Sequence, residues 1–550
     1  MIALFHFIFL FLLHSWSVLG ADVPTSLVSS TPSVRLGPAT VLGTRNGSVE
    51  SFVGIPYAEP PVGDLRLRLP QLIESYNGTL NATTYGHPCL QQALNTLAEF
   101  PTEVLKALEP LLASSSGMAN VTESEDCLYL NIFRPANMSP YAKLPVLFWI
   151  YGGSFTDGSN ALLFYNGSAI VERSIELNKP VIFVALNYRL HVFGFLGGKE
   201  VKEAGVANLG LHDQRTALRW VNKFIVPFGG DPSKVTIWGE SAGSISVYLH
   251  LYANQGNPEG LFRAGIMNSG FGVSIGDITE VQDTYDFVVD QVGCSNASDT
   301  LTCLRRATAD SLLAVAKTIP TPSGNNPFLP RVDGSLIKTS PLQLPFNGEI
   351  ADVPFITGDV KDEGTILVFG ELNITTDEEF ANYVSQNWFP GSTPADLTTI
   401  LQLYPSDPAA GSPFDTGDAN AFSPQYKRLA VVFGDWFFYG PRRLLLDEVS
   451  PKRTVYNFLS ARGNFTGIGD FHASDLLIAF APGDMTDYFI RFVHDLDPNG
   501  PSGVQWPQYN SSARLTLQFN NGDVPLIVTV DDERLAGTEE LTSLALRFPL

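Results

Sequence analysis

The chain has 550 residues, 44% of them hydrophobic and 16% charged, with a formal net charge of -22. This is a globular composition with ample material for a large core, and the length suits an α/β domain enlarged by insertions. The negative charge argues against nucleic acid and against anionic membrane surfaces as partners.

The first twenty residues read as a secretory signal peptide. Ile2 to Leu13 forms an apolar h-region, and Val18-Leu19-Gly20 supplies small residues before a cut. The mature chain is therefore expected to be secreted, to begin at Ala21 and to run as a single domain, 21–550. The n-region lacks Lys and Arg, and a membrane anchor is the alternative. The segment is short for a span, however, and leads straight into polar sequence. An even set of cysteines, Cys89, Cys127, Cys294 and Cys303, fits an oxidising compartment. Candidate N-glycosylation sequons stand at Asn46, Asn77, Asn81, Asn120, Asn137, Asn166, Asn296, Asn373, Asn464 and Asn510.

Between Cys89 and Cys127, Val104, Leu105, Leu108, Leu111 and Leu112 recur at helical spacing opposite Thr102, Glu103, Lys106 and Glu109. Pro101 suits the first helical position, and Pro110 should kink or end the helix. The pattern alone fits a surface helix packed on a core. Leu144 to Ile150 is an apolar run of the kind found in strands buried on both faces, and Tyr151-Gly152-Gly153-Ser154-Phe155 follows it. Pro180 to Leu186 is a second such run. His212 to Val221 reads as a helix. Val235-Thr236-Ile237-Trp238 is a third strand; it leads into Gly239-Glu240-Ser241-Ala242-Gly243 and an apolar helix from Ser244 to Leu251. Strand, helix, strand in this order implies an α/β fold: a large, mostly parallel sheet with helices on both faces, and ligands at the carboxyl ends of its strands. Residues 275–420, punctuated by Pro and Gly, read as an elaboration of that domain.

A bare G-x-S-x-G is most often an ordinary turn. Between a strand and a helix it is the nucleophile elbow, which lifts Ser241 Oγ above the sheet at a helix N-terminus. A serine hydroxyl needs a base, and the base needs an orienting carboxylate; on such folds the chain order is Ser, acid, His. His472 and His494 lie in the last third of the chain. His494 sits in a helical pattern, Tyr488 to Asp495, whereas His472 sits in a glycine-bearing loop, Gly467 to Asp475, as a catalytic base would. The strand-like run Val353 to Gly358 is followed by Asp359, Asp362 and Glu363, and residue chemistry does not separate these three acids. Oxyanion donors are expected from Ala242 and from the loop after the first buried strand. Asp531-Asp532-Glu533 reads as solvated surface. No metal cluster, P-loop or dinucleotide fingerprint is evident, so no cofactor is expected.

Five segments, in order along the chain, resemble the type-B carboxylesterase/lipase family of the α/β-hydrolase fold, in particular its secreted fungal lipases and sterol esterases. They are Gly54-Ile55-Pro56-Tyr57-Ala58-Glu59-Pro60-Pro61-Val62-Gly63, Ser124-Glu125-Asp126-Cys127-Leu128-Tyr129-Leu130-Asn131, Asn187-Tyr188-Arg189-Leu190, Phe228 through Gly243, and Trp506-Pro507-Gln508-Tyr509. The resemblance implies a serine hydrolase that cleaves carboxylic esters through an acyl-enzyme. By the family's Asp-Glu-Gly-Thr pattern the acid is Glu363, with Asp362 the runner-up. By position the oxyanion donors are Gly153, Ser154 and Ala242, Ser154 standing where the family usually has a third glycine. The resemblance also implies a Cys89–Cys127 bridge tethering a lid, 89–127, whose Val104, Leu105 and Leu108 cover the acyl site and meet a lipid–water interface. Cys294 and Cys303 are left to pair with each other. Apolar esters, as for a lipase or sterol esterase, are favoured by the apolar insert. Soluble or aromatic esters of the feruloyl or cinnamoyl type are the alternative. A non-catalytic adhesion protein on the same fold would have lost the serine or the histidine, and this chain has both.

Overall fold

Leu144–Ile150 is buried at every residue, as a parallel strand covered on both faces must be. It is one of fourteen strands in the computed structural model, which describes residues 31–92, 100–115 and 121–550. The signal segment 1–20 and the sequon at Asn120 lie outside the described residues. In chain order the strands are β1 (Ser33–Leu36), β2 (Ala39–Leu42), β3 (Thr44–Asn46), β4 (Val49–Pro56), β5 (Thr79–Asn81), β6 (Tyr129–Pro135), β7 (Leu144–Ile150), β8 (Ile182–Leu186), β9 (Gly230–Glu240), β10 (Ala264–Asn268), β11 (Phe355–Val360), β12 (Val455–Ala461), β13 (Leu515–Asn520) and β14 (Leu526–Val530). β1, β2 and β5 make a small separate sheet; the other eleven form one sheet in the order β14-β13-β12-β11-β10-β9-β7-β8-β6-β4-β3. Every neighbouring pair from β8 through β13 is parallel, and antiparallel strands close both edges.

That order places the site. β8 lies on one side of β7 and β9 on the other, so the winding direction reverses across β7. The carboxyl ends of β7 and β9 therefore open a crevice. β7 ends beside residues 151–155 and β9 ends immediately before Ser241. β11 and β12 run parallel to them, so the segments after those strands reach the same edge of the sheet.

The principal helices are α1 (Thr102–Ser115), α2 (Gly167–Glu176), α3 (Leu209–Phe224), α4 (Ala242–Gly256), α5 (Tyr426–Gly434), α6 (Gly440–Val449), α7 (Asp484–Asp495) and α8 (Leu535–Arg547). α1 runs on past Pro110, and α4 leaves helical geometry at Ala253. α3 is longer than its apolar pattern, and its Asp213 is buried in a 2.7 Å ion pair with Arg189. One apolar cluster packs around the sheet, where Trp149 and Trp238 lie opposite in the β7/β9 register with ring centroids 4.5 Å apart. A second cluster gathers Val104 and Leu108 of α1 with Phe369, Trp388, Phe433 and Trp436, so the 275–420 elaboration helps build its own core beside the sheet. Pro32–Leu550 forms one compact unit.

Disulfides join Cys89 to Cys127 and Cys294 to Cys303. The sequon asparagines Asn46, Asn77, Asn81, Asn137, Asn166, Asn296, Asn373, Asn464 and Asn510 are all exposed. Asp531 departs from the surface reading of the 531–533 run: it is buried against Arg442 and Arg443, while Asp532 and Glu533 stay exposed. Two arginines distant in sequence neutralise it, a pairing that no local pattern encodes.

Candidate active site

The turn after β9 is so tight that only glycine fits on either side of it. A Cβ at Gly239 would fall on the Gly243 carbonyl, and one at Gly243 would fall on the Ile150 carbonyl. Ser241 itself is held at φ 55°, ψ -125°, a strained position for a residue with a side chain, costing about 1–3 kcal/mol. The surrounding bonds hold it there: Ser241 N–H donates to the Asn268 carbonyl at 2.9 Å, and Ile245 N–H donates to the Ser241 carbonyl at 2.9 Å. Its side chain stands at the N-terminus of α4.

Ser241 Oγ lies 2.9 Å from His472 Nε2, and His472 Nδ1 lies 2.6 Å from Glu363 Oε2. Glu363 is buried, and its other oxygen accepts Val360 N–H at 2.9 Å, which fixes the carboxylate plane. The three acids after β11 take three different partners. Asp359 binds Arg442. Asp362 accepts from Ser412 Oγ, Phe414 N–H and Asp470 N–H, and so ties the 465–472 loop to β11. Only Glu363 reaches the imidazole. His494 lies on α7 and meets Asp495, away from this group.

Two acids that the sequence reading did not single out are buried beside the histidine. Glu240 Oε1 stands 3.3 Å from His472 Nε2 and has no hydrogen-bond partner among the described residues. Asp475 accepts from Asn268 Nδ2 at 2.7 Å. Their signals were positional, one residue before the serine and three after the histidine, and neither position declares a partner. Burial pushes Glu240 up to about 8 and Asp475 up to about 6. For His472, burial works against the imidazolium, but the carboxylates of Glu240, Glu363 and Asp475 outweigh it and raise the histidine to about 9.

The loop after β7 is locked carbonyl by carbonyl. Gly153 C=O accepts from Thr156 N–H at 2.9 Å and Asp157 N–H at 3.0 Å. In a trans peptide the next N–H points the opposite way, so Ser154 N–H faces away from the loop. Phe155 C=O accepts from His191 N–H at 2.8 Å, and Thr156 C=O accepts from Gln92 N–H at 2.9 Å. Gly153, Ser154 and Ala242 line one cavity with Ser241 and His472. Its volume is about 230 Å³, and its walls are mainly apolar, including Phe100, Ile245, Leu329, Ile366, Phe433 and Phe438. Phe438 lies on a single π-helical turn, Asp435–Tyr439, and its ring centroid is 4.7 Å from the His472 ring. Of the 89–127 segment, Phe100 lines this cavity. Val104 and Leu108 are buried in the second cluster, and Leu105 is half-buried. Among the described residues no group of three or more His, Cys, Asp and Glu could hold a metal ion.

The sequence pattern of the carboxylesterase family matches residues 30–535. The chain is 42% identical to Secreted lipase 1 of Botryotinia fuckeliana (strain B05.10), over 90% of this chain and 90% of that protein. It is 40% identical to Lipase 4 of Diutina rugosa, over 94% of this chain and 96% of that protein. The crystal structure of Aspergillus niger EstA superposes with a TM-score of 0.80 at 28% identity, covering 95% of this chain and 100% of that one. A family match over most of the length, joined to this fold, places the chain in the carboxylesterase family, as a hydrolase of carboxylic esters.

Proposed function

We propose that the protein is a secreted lipase, acting on esters of apolar acids with Ser241 as nucleophile, His472 as base and Glu363 as the acid that orients it. The observation that carries this reading is the unbroken chain of contacts from Glu363 through His472 to Ser241, opening into an apolar cavity. The names of the relatives, Secreted lipase 1 and Lipase 4, support the substrate class and the compartment.

In this mechanism Ser241 Oγ attacks the ester carbonyl as its proton passes to His472 Nε2. The carbonyl oxygen becomes an oxyanion that accepts from the N–H groups of Gly153, Ser154 and Ala242. His472, held in the correct tautomer by Glu363, gives the proton to the leaving alcohol oxygen as the C–O bond breaks. Water then adds to the acyl-enzyme by the same route and releases the acid and Ser241. The 89–127 segment acts as a lid over the cavity mouth, opening at a lipid–water interface. The exposed sequons carry glycans in the secreted protein.

Rates on glyceryl and cholesteryl oleates, p-nitrophenyl acetate and methyl ferulate test the substrate assignment. Oleate esters are expected to be hydrolysed fastest, with a rise above the solubility limit. The aromatic lining, with Phe433, Phe437 and Phe438, is the observation that favours the alternative. Ferulate turnover exceeding that of all the oleates would replace the lipase reading by an aromatic esterase.

A further inference from the structure

Ser154 and Phe155 both have left-handed backbones, φ 53° and 62°, although neither is glycine. Two successive side-chain-bearing residues in that region relax unless something holds them. The flanking Gly153, Phe155 and Thr156 carbonyls are held by backbone N–H groups. The Ser154 carbonyl is held instead by a side chain: Asn326 Nδ2 donates to it at 2.8 Å. Asn326 comes from far along the chain, in the 321–329 loop that walls the cavity, and it is 3% exposed. Its own amide is fixed in turn, since Asn326 Oδ1 accepts Phe328 N–H at 2.9 Å. The 321–329 loop bridges the two apolar clusters: Phe328 and Leu329 pack in the first, and a Cβ at Gly324 would meet the Trp436 ring of the second.

We propose that Asn326 is a positioning residue for oxyanion stabilisation. It fixes the Ser154–Phe155 peptide, while Thr156 and Asp157 fix the Gly153–Ser154 peptide. With both peptide planes fixed, the Ser154 N–H has one orientation before substrate arrives. A third glycine at position 154 would adopt this backbone freely; a serine there needs the clamp. The inference rests on the proposed roles of Ser241 and of the 153–154 N–H groups.

The test replaces Asn326 in the full secreted enzyme. Asn326→Asp keeps the acceptor for Phe328 N–H but presents an oxygen to the Ser154 carbonyl. Asn326→Ser is neutral and too short to bridge. On p-nitrophenyl butyrate, kcat is expected to fall about 10–100-fold in both variants, the range for misplaced rather than deleted catalytic groups, with KM within about twofold of the parent value. Affinity for an alkyl trifluoromethyl ketone, whose serine adduct carries the oxyanion, should fall by the same factor as kcat/KM. Affinity for decanoic acid should be unchanged, and thermal midpoints should stay near the parent's. Parent-like kcat in both variants would overturn the proposal. So would equal weakening of the ketone and the fatty acid, which would indicate general damage to the cavity. Failure of both variants to fold would mark Asn326 as a structural residue and overturn it too. Ser241→Ala distinguishes the layers: if that variant kept turnover, the mechanism itself would fall, whereas an unaffected Asn326 variant removes only the clamp.

Discussion

At the scale of single residues, the site's logic lies in how neighbouring acids are given different work. Glu363 faces His472 Nδ1, and Asp362, one position earlier, faces the backbone of the histidine loop. Glu363→Gln keeps the shape but cannot stabilise an imidazolium, so kcat should fall about 10³–10⁴-fold with little change in melting temperature. Asp362→Asn should act chiefly on stability, because it puts an NH₂ donor in place of one of the two carboxylate oxygens that accept the bonds from Ser412, Phe414 and Asp470. Kinetics and thermal melts on the two variants check this; the reverse pattern would shift the acid by one residue. The pH profile follows from the raised histidine. The base must be neutral to take the serine proton, so kcat/KM should rise with pH, with its acid limb above the ordinary histidine value of about 6.5 and extending towards 9. Glu240 titrates close by, near 8, so the limb reports the pair. Glu240→Gln removes a carboxylate that favours the imidazolium, and the limb should move to lower pH; an unmoved or raised limb would contradict that role. Ser241, His472 and the rival acids were legible in the sequence because elbow context, loop context and chain order all constrain them. Glu240 and Asp475 were not, because burial beside an imidazole has no local signature.

At the scale of elements, strands buried on both faces announced themselves as continuous apolar runs, as β7, β8 and β9 show. β13 and β14, at the open edge, did not: the apolar Leu526-Ile527-Val528 of β14 is partly exposed along its whole length, so apolarity there does not report burial. α1 shows the complementary limit. Its periodicity gave the helix, but periodicity does not say which body its apolar face meets. Val104 and Leu108 are buried in the second cluster, and Val104 also approaches Gly467 on the histidine loop. Phe100, just before α1, lines the cavity. Val104→Asp and Leu108→Asp should therefore lower the melting temperature and reduce acetate and oleate turnover alike. Phe100→Ala and Leu105→Asp should spare acetate and penalise oleate, with discrimination growing at up to about 0.8 kcal/mol for each CH₂ left uncovered. Uniform losses in all four variants would make the segment ordinary packing.

At the scale of the whole molecule, a buried ion network binds the far end of the sheet to its helices. Arg442 on α6 donates to Asp359 at the end of β11, to Asn457 on β12 and to Asp531 just after β14; Arg443 pairs with the same Asp531. Asp531 lies 89 positions from Arg442 and 88 from Arg443, which is why the sequence alone suggests a surface position for it. Arg442→Met would strand the buried Asp359 carboxylate and leave Asp531 with Arg443 alone, and urea unfolding should show a loss of about 3–5 kcal/mol. Burial opposes the charge on Asp531, but Arg442 and Arg443 outweigh it and hold the carboxyl below the usual range. The stability that Asp531 contributes is thus fully present above the ordinary carboxylate value and is lost as pH falls below it, whereas burial raises Asp359 of the same network to about 7. An unchanged unfolding free energy would show the network to be dispensable.

The central claim is that this sheet edge delivers one reactive serine. It is tested most directly by titrating the purified, secreted enzyme with an alkyl p-nitrophenyl phosphonate and locating the adduct by peptide mass spectrometry. The expected result is one phosphonate per chain, on Ser241, with ester hydrolysis lost in proportion to labelling. Labelling at another serine, or hydrolysis that survives full modification of Ser241, would contradict the account.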